Sequence, residues 1–286
     1  LVFGFCNNLY YVDLKKFNTK KVTDFSYMFA HDVYLTSLDL SSFETPLVAD
    51  MSHMFDSCEH LSFLNIDNFD VSIVNDMAFM FHYCQKLVSI NLNKFNTKEV
   101  MDMSMTFAHC IKIKSLDLSS FDTKNVQSMK GMFQGDVLLE SVDVSSFKTE
   151  NVFDMENMFN DCNKLKNLDL SNFSTKSLGK MASMFSSCSS LASLRLDKFI
   201  TSDVEDMSYL FNDCNSLVSL DLSSFDTSKV TNMNRMFYKC EALSELKGSN
   251  FNTKKVMTME EMFSGAKSLK SLDVSKFETN NVNNML

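Results

Sequence analysis

From Met54 to Met77 the apolar residues recur at short, regular steps: Met54, Phe55, Cys58, Leu61, Leu64, Ile66, Phe69, Val71, Val74 and Met77. The same pattern returns along the whole chain. Phe3, Phe29, Phe55, Phe81, Phe107, Phe133, Phe159, Phe185, Phe211, Phe237 and Phe263 stand twenty-six residues apart, and eleven such blocks fill the 286 residues with none left over. A fixed period in the twenties, held without insertion or deletion, marks a solenoid whose successive turns bury one another's apolar faces. Residues 1–286 are therefore expected to form one elongated domain without a linker. Function is expected to lie in columns of residues, since no single turn is special.

Within a block, stretches such as Leu116-Asp117-Leu118-Ser119, Leu168-Asp169-Leu170-Ser171 and Leu220-Asp221-Leu222-Ser223 alternate apolar and polar residues at period two, which predicts a strand with leucines inward and aspartates outward. A second invariant column follows, from Phe17, Phe43 and Phe69 to Phe277, and is expected to build a buried spine of stacked rings. Two residues later comes Thr, in ten blocks of eleven, with Val71 the exception. Thr123 followed by Val126, Met129, Met132 and Phe133 reads as an N-capped helix with one buried stripe, and Pro46 after Thr45 fits the first helical position. The predicted fold class is an α/β repeat: a right-handed, leucine-rich-repeat-like solenoid, each turn one short parallel β-strand and one helix. Helices being wider than strands, the stack is expected to curve with its strands inside.

The frame Leu-x-x-Leu-x-Leu-x-x-Phe-x-Thr resembles the leucine-rich repeat, with Phe where Asn or Cys is usual. More closely, Leu220-Asp221-Leu222-Ser223-Ser224-Phe225-Asp226-Thr227-Ser228-Lys229-Val230-Thr231-Asn232-Met233-Asn234-Arg235-Met236-Phe237 resembles the repeat of the BspA-like surface proteins, the mycoplasma-type repeat of unknown function. The resemblance covers all eleven blocks. It implies a secreted or surface-anchored solenoid used for adhesion or protein binding, extracellular or at the cell surface, and it brings no catalytic residues.

Composition narrows the picture further. The 27 Phe and 21 Met, beside no Trp, are accounted for by fixed columns, and Met28, Met51, Met54, Met77 and Met80 read as core filling. A formal charge of −9 argues against a nucleic-acid surface. No apolar run approaches the roughly 18 residues of a membrane span. The chain starts with neither Met nor a signal peptide, so a segment of a longer array is expected. The eight cysteines, Cys6, Cys58, Cys84, Cys110, Cys162, Cys188, Cys214 and Cys240, share one column with Asp32, Asp136 and Ala266. Side chains running parallel along a column are badly directed for disulfides and do not converge as zinc ligands do, so free, partly buried thiols are expected. His31, His53, His60, His82 and His109 fall at several different phases of the repeat and form no recurring ligand set, which predicts solvated positions. No phosphate loop, Ser/His/Asp arrangement or paired catalytic carboxylates occur, which argues against an enzyme, and no cofactor or metal is expected. Asn172-Phe173-Ser174 is the sole glycosylation sequon.

Candidate binding residues lie on the predicted strand face. The outward column holds Asp13, Asp39, Asp117, Asp143, Asp169, Asp221 and Asp273, interrupted by Asn65, Asn91, Arg195 and Lys247. Carboxylates about 4.8 Å apart repel. The column either keeps the strand surface soluble and accepts hydrogen bonds from flanking serines, or engages a basic protein or calcium. Arg195 and Lys247, the latter beside Gly248, mark either a specific contact or drift. Tyr10, Tyr11 and Phe63 place aromatics on a Ser-rich face, where they anchor a protein or glycan or pack beneath a preceding domain. Two functions follow: a binding module that meets a host or neighbouring surface protein or glycan through a face about 50 Å long, and a structural protein whose uncapped ends, Leu1-Val2-Phe3 and Met285-Leu286, stack into a filament.

Overall fold

The computed structural model describes residues 2–249 and 251–285; Leu1 and Leu286, the outermost residues of the two expected ends, lie outside them. The period-two stretches form strands as short as their alternation: β1 (Ser37–Asp39), β2 (Phe63–Asn65), β3 (Ser115–Leu116), β4 (Ser141–Val142), β5 (Asn167–Leu168), β6 (Ser193–Leu194), β7 (Ser219–Asp221) and β8 (Glu245–Lys247). They pair in parallel as β1–β2, β3–β4, β5–β6 and β7–β8, with Leu38 opposite Leu64 and Leu220 opposite Leu246. The register shift equals the repeat, so each column of the sequence becomes a column in space. A second parallel ladder of single bridges runs from Asp24–Asp50 through Asp154–Lys180 and resumes from Asp206–Asn232 to Thr258–Asn284.

The predicted helix is absent: among the described residues there is none, and the segment is a chain of tight turns. Turn bonds run from the Met28 N–H to the Phe25 carbonyl, from Ala30 to Tyr27 and from Asp32 to Phe29, while the intervening N–H groups of Tyr27, Phe29 and His31 donate to Ser52, Met54 and Asp56 of the next turn. Those cross-bonds hold this face at the same hydrogen-bonded spacing as the strands, about 4.8 Å. A helix about 10 Å wide cannot stack at that pitch. Two positions per turn also carry positive φ, as at Tyr27 (56°) and His31 (62°), which interrupts a right-handed helix. The expected cause of curvature disappears with the helix.

The Thr column, read as helix caps, instead joins turn to turn. Thr45 Oγ1 donates to the Asp70 carbonyl at 2.8 Å and accepts the Asp70 N–H at 2.7 Å, and Thr19, Thr123, Thr149, Thr175, Thr201 and Thr253 make the same two-bond bracket. Pro46 occupies the second position of the turn that the Val48 N–H closes onto the Thr45 carbonyl. Proline's fixed φ suits that position as well as it suits a helix start.

Leu, Met, Val and Phe columns fill the interior. From Phe3 to Phe263 eleven rings stack continuously, neighbouring centroids 5.2–6.1 Å apart and rings within 15° of parallel. The Phe17–Phe277 column, expected to be the spine, packs more loosely: the pairs Phe17–Phe43, Phe95–Phe121 and Phe199–Phe225 lie 6.3–6.5 Å apart. Every cysteine is free, all but Cys6 are buried, and each buried thiol donates to a Phe carbonyl of the preceding turn, as Cys58 does to Phe29 at 3.1 Å.

Candidate binding face

The strand face presents two outward columns either side of the inward leucines. In one, each aspartate closes a turn two residues on: Asp13 Oδ1 accepts the Lys15 N–H, and Asp39, Asp117, Asp143, Asp169, Asp221 and Asp273 accept those of Ser41, Ser119, Ser145, Ser171, Ser223 and Ser275 at 2.9–3.1 Å. Asn65 and Asn91 do the same for Asp67 and Asn93. Asx turns of this kind end a strand by giving an otherwise unpaired N–H an acceptor. Hydrogen bonds from the serine two residues on hold Asp39, Asp117, Asp143, Asp169, Asp221 and Asp273 below the ordinary carboxylate value. The column therefore has a structural duty, and its outer oxygens still face solvent.

Arg195 and Lys247 lack that acceptor. Arg195 lies 3.6 Å from Asp197, Lys247 lies 3.4 Å from Glu245, and both side chains are exposed. Gly248 follows from the backbone: its φ is 75°, and a side chain there would collide with the main chain of Leu222 and Ser223. In the other outward column, Tyr11 is 65% and Phe63 54% exposed, flanking Ser37. Asn167, Asp169, Ser193 and Arg195 line a shallow depression of about 220 Å³ between β5 and β6. The face thus brings together the outward residues singled out from sequence as a strip, while Tyr11 and Phe63 stand at one end of it and Lys247 near the other. Tyr10 turns away and stacks on Tyr34 at 5.5 Å.

Three of the five histidines, His53, His82 and His109, form a cluster that their scattered phases concealed, while His60 is exposed as expected. Asp56 receives His53 Nδ1 at 2.8 Å, His82 Nδ1 at 2.9 Å and the Ser57 hydroxyl at 2.9 Å. Burial alone would raise the Asp56 pKa, but the two imidazoles outweigh it and hold the carboxyl well below its ordinary value. His53 is sandwiched between Tyr27 and Phe79, and His109 stacks on Tyr83. Only the twenty-six-residue separation of Asp56 and His82, with His53 three residues before Asp56, carried this in the sequence. Asn172 is likewise engaged, its amide donating to the carbonyls of Val144, Ser145 and Phe147. Among the described residues no group of three or more His, Cys, Asp or Glu side chains is placed to hold a metal ion. Among the described residues no helix is long and apolar enough to cross a membrane.

The chain is similar to solved leucine-rich repeat proteins. One from Bacteroides ovatus is 19% identical, with 92% of this chain and 76% of that one covered and a TM-score of 0.47. The leucine-rich repeat protein of T. pallidum is 20% identical over 64% of this chain and 77% of that one, TM-score 0.43. A leucine-rich cell surface protein from Faecalibacterium prausnitzii is 18% identical over 85% and 80%, TM-score 0.34. No curated protein matches. The family described as "Mycoplasma protein of unknown function, DUF285" matches residues 2–116, 59–166, 106–220 and 207–286, so the chain belongs to that family and the mycoplasma-type repeat read from its motif is shown.

Proposed function

We propose that the protein is a non-enzymatic binding module of the cell surface or extracellular space, whose strand face engages another protein in adhesion. The observation that carries this reading is Phe63: more than half exposed, on a strand whose backbone is locked by β1–β2 pairing, in a column where the neighbouring turns hold small Ser37 and Ser89. A rigid exposed aromatic loses little entropy on burial and is the side chain best suited to anchor an interface. Tyr11 in the same column supplies a second anchor. Arg195, beside Asp169, supplies a charged contact at mid-face.

The test is a panel of purified extracellular and cell-surface proteins immobilised for biolayer interferometry, probed with the native chain and with Phe63→Ser, Tyr11→Ser and Arg195→Ser. These positions are exposed, so the variants keep the fold. A partner whose affinity falls at least about tenfold in Phe63→Ser, roughly 1.4 kcal/mol, supports the reading. A partner bound equally by all three variants sinks it.

A further inference from the structure

A groove lies away from the strand face, downstream of the strand in each turn, between the Thr brackets and the single-bridge ladder. It spans four turns and encloses about 570 Å³. Each turn gives one residue to either wall: Ile73 and Asn75 in the first, Glu99 and Met101 in the second, Asn125 and Gln127 in the third, Asn151 and Phe153 in the fourth. Every turn thus offers at least one amide or carboxylate, and three of the four pair it with an apolar side chain. Among the described residues no Lys or Arg lines the groove.

We propose that this groove is a binding site for a neutral, linear oligosaccharide, seated with about one sugar unit per turn. The chemistry selects that class. Amides both donate and accept, as sugar hydroxyls do, and the absence of cationic side chains leaves nothing to neutralise phosphate, sulfate or uronate groups. Asn125 and Asn151 each give one N–H to the Lys98 and Lys124 carbonyls, which fixes the side chains and leaves the second N–H and the oxygen of each for sugar hydroxyls. Apolar Ile73, Met101 and Phe153, each about half exposed, meet the C–H faces of sugar rings. A peptide adding as an extra strand has no backbone to pair with. The Asn75 N–H already donates to Ala49, Met101 to Asn75, Gln127 to Met101 and Phe153 to Gln127, at 2.8–2.9 Å.

The groove also has defined ends. The wall column reads Ala49, Asn75, Met101, Gln127, Phe153, Gly179, so long side chains occupy four turns and stop on both sides. Gly179 has no backbone reason to be glycine: its φ is not positive, and a Cβ there would meet only the Phe153 carbonyl oxygen, at 3.9 Å. What its missing side chain does is leave the space beyond Phe153 open, the place where a terminal sugar ring stacks.

The test is titration of the whole chain with cellohexaose, chitohexaose and maltohexaose, read by calorimetry and by the side-chain amide resonances of Asn and Gln. One of the three binds the native protein and shifts the amide signals of the groove. Phe153→Ala and Gly179→Leu each weaken it by about tenfold or more, the loss of one stacked ring. Gly179→Leu fills only open space, so it retains the native unfolding midpoint. Asp117→Ser on the strand face leaves binding unchanged. No heat and no amide shift with any of the three at millimolar concentration overturns the proposal. So does binding that Gly179→Leu leaves intact, or that Asp117→Ser abolishes.

Discussion

Asp136 Oδ1 accepts the Cys110 N–H at 2.8 Å, while Asp136 Oδ2, fully buried, has no partner. Asp136 stands in the thiol column, where each buried cysteine donates to the Phe carbonyl twenty-nine residues earlier. For Asp136 that carbonyl belongs to Phe107. A protonated carboxyl can supply the missing donor; an ionised one cannot, and it sits among uncharged thiols and Phe rings. Burial accordingly pushes the Asp136 pKa far up, and Asp32, which accepts the Cys6 N–H in the same column, is raised to about 6.

The contribution of Asp136 and Asp32 to stability is expected to decline as pH rises. Both carboxyls bind protons more tightly folded than unfolded, so their contribution is fully present below the unfolded value of 3.8 and is lost as pH climbs through the folded values, near 6 for Asp32 and higher for Asp136. Asp136→Cys restores the column's own donor. It is expected to stabilise the protein at pH 8 by about 1–3 kcal/mol, the cost of an unsatisfied buried polar group, and to flatten the pH dependence of the urea midpoint. An unchanged midpoint at pH 8 contradicts the neutral-acid assignment.

Val71 is the one gap in the Thr column. Thr45 brackets Asp70, and Thr97 resumes by donating to the Asp122 carbonyl, but Val71 has no hydroxyl to offer the turn that follows it. Val71 is buried and nearly isosteric with Thr. Val71→Thr is therefore expected to raise stability by about 0.5–1.5 kcal/mol through a bracket onto Asn96, and Thr45→Val to lower it by a similar amount, since the backbone of the exposed Asp70 turns to water once the bracket is lost. Shifts of the denaturant midpoint in the same direction for the two variants would contradict the bracket's role.

The twenty-six-residue period and the in-out alternation of Leu and Asp were legible because both survive any local conformation that keeps the columns aligned. The segment after Thr was not. Val126, Met129, Met132 and Phe133 satisfy a helical stripe and a run of three-residue turns alike, and Thr45-Pro46 opens either one. The deciding sign was in the glycines: Gly131, Gly135 and Gly265 fall in the two columns of positive φ, which no helix tolerates twice per turn. On the strand face, hydrogen bonds from the flanking serines to the aspartates were readable, as was the outward placing of Tyr11 and Phe63. The groove walls change residue type from turn to turn, so no column pattern announced them.

Asp56 anchors the turn face where its cross-bonds carry stacked rings. Its pKa is depressed, so its contribution is present above the unfolded carboxylate value and is lost as pH falls through the folded one, the opposite sign to Asp136. Asp56→Asn is expected to cost about 1.5–3 kcal/mol at pH 7, as hydrogen bonds to a charged group are lost, and distinctly less near pH 2, where the pH has passed below the unfolded carboxylate value and part of that contribution is gone. Urea unfolding of both proteins at the two pH values checks this; an equal penalty at both would place the role of Asp56 in packing alone.

The thiols give the last expectation. Burial raises the pKa of Cys84, Cys110, Cys162, Cys188 and Cys214 far above the ordinary value and that of Cys240 to about 12, while Cys6 is exposed. Only thiolate attacks a disulfide reagent, and a thiol that is both inaccessible and donating to a carbonyl has almost none. At pH 8 the native protein should therefore release one equivalent of chromophore rapidly from an aromatic disulfide reagent, with the other seven thiols reacting only at the rate of unfolding and together once denaturant is added. Partial, graded release in the absence of denaturant would show that turns open singly, so that the thiol column reports local fraying of the stack rather than its cooperative loss.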